Sequence, residues 1–130
     1  MRYMLSIYGE EQRWADATPE QTREALAAYV GFGKEAADII VAGDGLQPTA
    51  TATTVRVRDG ERMLTDGPFA ETREQLGGYY VLDCADLDEA LAWAAKVPGA
   101  FTGSVEVRPV MDYETAGAAA EQAEEASRPA

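Results

Sequence analysis

Histidine is absent from this chain. That removes the side chain whose unperturbed pKa lies nearest neutrality, and with it the commonest metal ligand. A Ser-His-Asp triad, a Cys-His pair and a His-built zinc site are excluded. Carboxylates, tyrosine and lysine are left as acid/base groups. Cysteine is nearly absent: Cys84 stands alone, so no intrachain disulfide forms. A reducing cytoplasm is the expected compartment. Basic residues are scarce, 11 Lys and Arg against 23 Asp and Glu, for a net charge of −12. Such a chain repels phosphate backbones and anionic lipid surfaces, so neither nucleic acid nor membrane is expected as a partner. No apolar run reaches the roughly 18 residues a membrane span needs. The opening MRYMLSIYGEEQ lacks the apolar core of a signal peptide. No internal repeat is present.

The 130 residues, 46% of them hydrophobic, suffice for one folded domain with a real core. Arg2 to Tyr8 alternates, with Tyr3, Leu5 and Ile7 on one face and Met4, Ser6 and Tyr8 on the other, which predicts a strand. Thr18-Pro19-Glu20-Gln21 opens a helix: Thr18 caps, Pro19 takes the first turn and Gln21 closes a capping box. Two adjacent rows, Leu26/Val30/Gly33/Ala37/Ile40 and Tyr29/Phe32/Ala36/Ile39, predict a broad buried face running to about Val41. Ala42-Gly43-Asp44-Gly45 is read as its stop. Thr51 to Arg58 and Glu61 to Thr65 flank Asp59-Gly60, a hairpin with a type I′ turn. Tyr79 to Cys84 is a strand. Asp86 and Glu89 open a second helix that Pro98-Gly99 ends, and Ser104 to Val110 is the last strand. Residues 113–130, rich in Ala and Glu, lack large apolar partners and are read as a mobile tail.

This order predicts an α+β domain over residues 1–112. It is a ferredoxin-like β-α-β-β-α-β arrangement with an extra hairpin strand. Helices then cover one sheet face only. The other face carries Met4, Ser6, Tyr8, Arg56, Arg58, Glu106 and Arg108, and the pairs Tyr79/Val81 and Tyr80/Leu82 make both sides of their strand apolar. A self-associating sheet fits this mixture better than a solvated one.

Between Asp66 and Gly78 lies the most informative stretch. Asp66-Gly67-Pro68 signals a turn, Phe69 adds an aromatic, and Glu71 to Gln75 is polar and charged. About a dozen residues is long for a simple connector. One reading makes it a cleft wall, with Asp66 or Glu71 facing polar partners, Phe69 filling apolar space, and Arg56 or Arg108 as the cation. Tyr8 completes the candidate ligand-binding set. The other reading is structural: a turn, a solvated charged loop, and ion pairs that tie the arginines to Glu106 or Asp66. Trp14 is either a lid or a surface plug, and Cys84 a small buried residue.

The chain resembles the YCII-related family, in its DGPF-motif branch. The resemblance rests on the opening Met1 to Gly9, Ala52 to Gly60, Thr65 to Tyr80, Asp86 to Ala90, and Gly103 to Val110. It implies a dimeric α/β barrel, two ferredoxin-like protomers packed sheet against sheet, with a cleft in each. Some YCII-related proteins carry a His-Asp dyad and act on small organic compounds. The His is missing here, and Asp66 is the remaining acidic counterpart. DGPF-type genes often neighbour those of extracytoplasmic-function sigma factors, which implies a regulatory role. Two functions follow: a small-ligand-binding or regulatory homodimer, or a lyase or isomerase using Asp66 or a tyrosine as acid/base. The missing His favours the first.

No cofactor is expected and no metal site. One Cys and no His fall short of what a zinc site needs. Elemental analysis of chelator-washed protein should find no stoichiometric zinc; one zinc per chain would overturn this.

Overall fold

The computed structural model describes residues 1–129. Six strands and four helices follow in the order β1 (Arg2–Gly9), α1 (Glu11–Ala15), α2 (Pro19–Glu35), β2 (Ile40–Gly45), β3 (Thr53–Arg58), β4 (Glu61–Asp66), β5 (Gln75–Asp83), α3 (Leu87–Ala94), β6 (Ser104–Pro109) and α4 (Tyr113–Ala126). β2, β5, β1 and β6 form one four-stranded antiparallel sheet in that order. β3 and β4 form a separate two-stranded sheet. The fold is α+β and ferredoxin-like, as the sequence predicts.

The alternation read in β1 is realised. Tyr3 and Leu5 are buried on the helix side beside Leu82 of β5, and Val105 and Val107 of β6 pack against them. Phe32 of α2 and Ala36 just past its end, Ala90 and Ala94 of α3, and Val97 close the core from above. The Phe32 ring sits 5.0 Å from Tyr80 and 6.3 Å from Trp93, the latter edge-on, so one aromatic ties α2 to both the sheet and α3. Cys84 is buried, and burial pushes its thiol above the usual range, consistent with a packing role.

Both helix starts follow their capping signals. Thr18 Oγ1 accepts from the Gln21 N–H at 3.1 Å while Gln21 Oε1 accepts from the Thr18 N–H at 2.9 Å. Asp86 accepts from the Glu89 N–H at 2.9 Å, and Glu89 reaches back one residue further, to the Ala85 N–H at 2.7 Å.

Four expectations are corrected. α2 ends at Glu35, six residues early, and Ile40–Gly45 is an edge strand on β5. The β-branched run Ile39-Ile40-Val41 favours a strand, which the helical spacing had masked. The Tyr29/Phe32/Ala36/Ile39 row, which runs from α2 past its end, meets the core, whereas of the other row only Ile40, now on β2, packs there; Leu26 and Val30 are 55% and 58% exposed. Since β2 completes the sheet, the whole β3–β4 hairpin is the addition, and Arg56 and Arg58 leave the main sheet. β5 begins at Gln75, so Gly77 and Gly78 lie within it. Beyond these, Trp14 sits on α1, half exposed, and 113–126 form a helix with no buried residue. Asp112 caps that helix through the Glu114 and Thr115 N–H groups, and the bond from Thr115 holds its carboxyl below the ordinary range.

Gly103 precedes β6 and runs against the β1 backbone. A Cβ there would collide with the Tyr8 carbonyl and come within 3.1 Å of Gly9 Cα. Gly31, inside α2, has open space around it. Urea unfolding should therefore show Gly103→Ala destabilised by about 1–3 kcal/mol. Gly31→Ala should be stabilised by about 0.5–1 kcal/mol through helix propensity. Equal effects of the two would contradict the close approach at Gly103.

Candidate functional site

The strand register assigns the face that the helices leave open. Ala42 and Asp44 of β2 lie beside Val81 and Tyr79 of β5, then Met4 and Ser6 of β1, then Arg108 and Glu106 of β6. A register shift between Ile7 and Tyr8 sets Tyr8 between Leu76 and Ser104 at one end of this face. Met4 is 37% and Leu76 40% exposed. Apolar side chains thus form the middle of the face, and charged pairs sit to either side.

The pairs lie within the face itself. Tyr79 Oη donates to Asp44 Oδ2 at 3.1 Å; that bond to a carboxylate raises the tyrosine's pKa. Arg108 is bonded to Glu106, which holds the guanidinium above its ordinary value. Both pairs are solvent-exposed in the single chain, so neither adds much stability there.

The Tyr8 end of the face runs into a polar concavity lined by Glu10, Arg13, Arg73, Glu74 and Thr102. Ser104 Oγ donates to Glu74 at 2.8 Å, and Arg73 reaches Glu10 at 3.4 Å. A hydrogen-bonded chain holds this end in place. The Glu11 carboxylate accepts from the Thr49 N–H at 2.6 Å and the Thr49 hydroxyl at 2.8 Å. The Glu11 N–H donates to Gln75 Oε1 at 2.9 Å, and Gln75 Nε2 donates to the Thr72 carbonyl at 2.6 Å. Three segments distant in sequence are joined: α1, the turn after β2, and the loop before β5. The site then offers two guanidiniums, two carboxylates, a phenol and hydroxyls around an open floor. Such a set binds oxygen-rich small molecules by charge-assisted hydrogen bonds. Among the described residues, no cluster of three or more Cys, Asp or Glu has metal-binding geometry.

Of the residues the sequence nominates, Tyr8 and Arg108 share this sheet face. Arg108 takes the structural alternative, bonded to Glu106. Arg56 lies on the separate hairpin, half-covered, and no carboxylate among the described residues lies within ion-pair distance of it. Asp66 ends β4 and is exposed, as is Glu71. Phe69 is 78% exposed, so within one chain it fills no apolar space. The turn that follows Asp66 has a clear structural task. Gly67 adopts φ 99°, its N–H donates to the Ala52 carbonyl at 2.7 Å, and its own carbonyl accepts from Thr54 Oγ1 at 2.8 Å. This motif closes the base of the hairpin, and its glycine supplies the left-handed backbone.

The sequence reading passed over Glu10, Glu11, Arg13, Gln75 and Ser104, and treated Arg73 and Glu74 as a solvated face. Their common feature is that each gains its role from a partner at least 30 residues away or from the fold of α1. Local pattern carries no sign of that. The charged run inside the Asp66–Gly78 stretch was the one available pointer.

The comparisons with known proteins follow the same lines. A protein of Rhizobium meliloti, itself uncharacterised, is 42% identical over 122 residues, 87% of this chain and 94% of that protein. The solved structure of 5-chloro-2-hydroxyhydroquinone dehydrochlorinase from Burkholderia phenoliruptrix, in complex with 2,5-dihydroxybenzoquinone, superposes with a TM-score of 0.53 at 10% identity. That match covers 85% of this chain and 94% of the dehydrochlorinase, and shows a shared fold. The model of the YCII-related domain matches residues 1–114, the whole sheet with both packed helices, and the chain therefore belongs to the YCII-related family.

Proposed function

We propose that two copies of this chain close their helix-free sheet faces on one another, and that the dimer binds a small oxygenated organic molecule at the Tyr8 end of that face, in a binding or regulatory role. The observation that carries this reading is the open face itself. Met4, Tyr79 and Val81, with Leu76 towards the Tyr8 end, make an apolar strip on a sheet whose opposite side carries the core. A covered interface of ~2,000 Å² or more would be ordinary for such packing. The DGPF-type resemblance, with its gene neighbourhood beside sigma factors, supports the regulatory half.

The alternative is an enzyme, a lyase or isomerase. The dehydrochlorinase of the same fold supports it, as a protein of this shape that holds a small quinone. The chemistry of this chain weighs against it. A general base works best with a pKa near the operating pH. Among the described residues no charged side chain is buried within the single chain. The tyrosines with resolved shifts, Tyr29 and Tyr80 by burial and Tyr79 by its bond to Asp44, move up and away from neutral pH.

Val81→Lys places a charge in the middle of the open face, and light scattering should show its mass halved relative to the wild type at micromolar concentration. A thermal-shift panel of hydroxylated aromatic and short carboxylic acids tests the ligand site. A binder at 100 times its Kd stabilises by about 2.7 kcal/mol. Tyr8→Phe and Arg73→Ala should each weaken that binder at least tenfold with the fold intact. Asp66→Asn decides whether the hairpin-base motif takes part: a weakened response brings Asp66 into the site, an unchanged one leaves it as scaffold. Equal affinity in Tyr8→Phe and Arg73→Ala would contradict the site.

A further inference from the structure

Among the described residues, the β3–β4 hairpin is an element whose construction makes little sense for a free chain. It is roughly 20 Å long, six residues per strand. Its base is fixed by the Ala52, Thr54 and Gly67 hydrogen bonds, and no other helix or strand packs extensively on it. An isolated two-stranded hairpin is marginally stable in water.

One of its faces is an exposed apolar patch. Cross-strand pairing puts Thr53 beside Asp66, Val55 beside Leu64 and Val57 beside Arg62 on one face. Val55, Val57 and Leu64 are 57%, 60% and 58% exposed. Thr54/Thr65, Arg56/Met63 and Arg58/Glu61 occupy the other face. The apolar face is thus exposed, while on the other face Thr54 and Arg56 are half-covered and Met63 is 50% exposed. Three contiguous β-branched or aliphatic side chains on a thin arm form a surface that a monomer gains nothing by exposing.

The charge distribution says what covers it. Arg56, Arg58 and Arg62 balance Asp59, Glu61 and Asp66, so the arm carries no net charge in a chain of net charge −12. All of the surplus negative charge lies outside the arm. Two acidic copies repel each other everywhere else on average, whereas this neutral, arginine-bearing segment approaches an acidic copy without penalty. Arg62 flanks the apolar patch and is placed to meet carboxylates at its rim. The arm also leaves the sheet between β2 and β5, two adjacent strands of the open face.

We infer that the hairpin is an exchange arm: its Val55/Val57/Leu64 face docks on a second copy of this chain. The inference rests on the homodimer reading and extends it, since sheet packing alone leaves the arm free. The test uses the full chain. Val55→Ser/Val57→Ser/Leu64→Ser, all at exposed positions, is compared with wild type by sedimentation across a dilution series. Backbone amide exchange in 53–66 is measured for wild type at dimer and monomer concentrations. The expected result is a dimer dissociation constant raised at least tenfold in the triple variant, with arm amides at least tenfold slower to exchange in the wild-type dimer. A wild-type dimer with an unchanged constant in the variant and concentration-independent arm exchange would overturn the arm while leaving the dimer standing. A wild type monomeric at every concentration would overturn both.

Discussion

Everything distinctive in this molecule depends on a four-stranded sheet covered by helices on one side only. The covered side is closed by Tyr3, Leu5, Leu82, Phe32 and the alanines of α3, and it needs nothing more. The other side has the same strands and the same pleat, so each inward residue is matched by an outward one. Because β5 reads Tyr79-Tyr80-Val81-Leu82, both of its sides are apolar whichever way it pairs. A strand built that way is suited to burial on both faces. The proposed dimer supplies the second cover.

The same constraint bears on where the proposed ligand site lies. A sheet middle that packs on a partner has no room for a ligand, whereas its end does. The register shift at Tyr8 ends the regular pleat there, and the Glu11–Thr49 and Glu11–Gln75 bonds hold the surrounding loops against it. Rigid strands position Tyr8 and Ser104, and loops supply Arg73 and Glu74, the usual division between scaffold and function.

The fold was legible in the sequence wherever the signal was local. Alternation in β1, the Thr18 box, the Asp86 cap and the Asp59-Gly60 turn, both of whose residues have positive φ, all work within a few residues. β2 was missed because Ile39, Ile40 and Val41 continue a helical spacing, and only pairing with β5 makes them extended. Leu26 and Val30 misled in the opposite sense, since apolarity on a helix marks a face without saying whether its own chain covers it. In the candidate site, Tyr8 was nominated on a strand face by alternation, and the register places it at one end of the open face. Arg108 was placed on the right face, together with the ion pair to Glu106 that engages it. Asp66 and Phe69 stood out as a motif, and the structure gives Gly67 between them a hairpin-closing task that no local pattern announces. Glu11 was invisible, because its partner Thr49 comes to it only through the fold.

Small-angle scattering of the wild-type protein at micromolar concentration tests the covered-face dimer most directly. A compact pair of 130-residue chains has a radius of gyration of about 18 Å, against about 14 Å for one chain. The open apolar face predicts the larger radius with twice the chain mass. A radius near the smaller value, with the mass of a single chain, would contradict it.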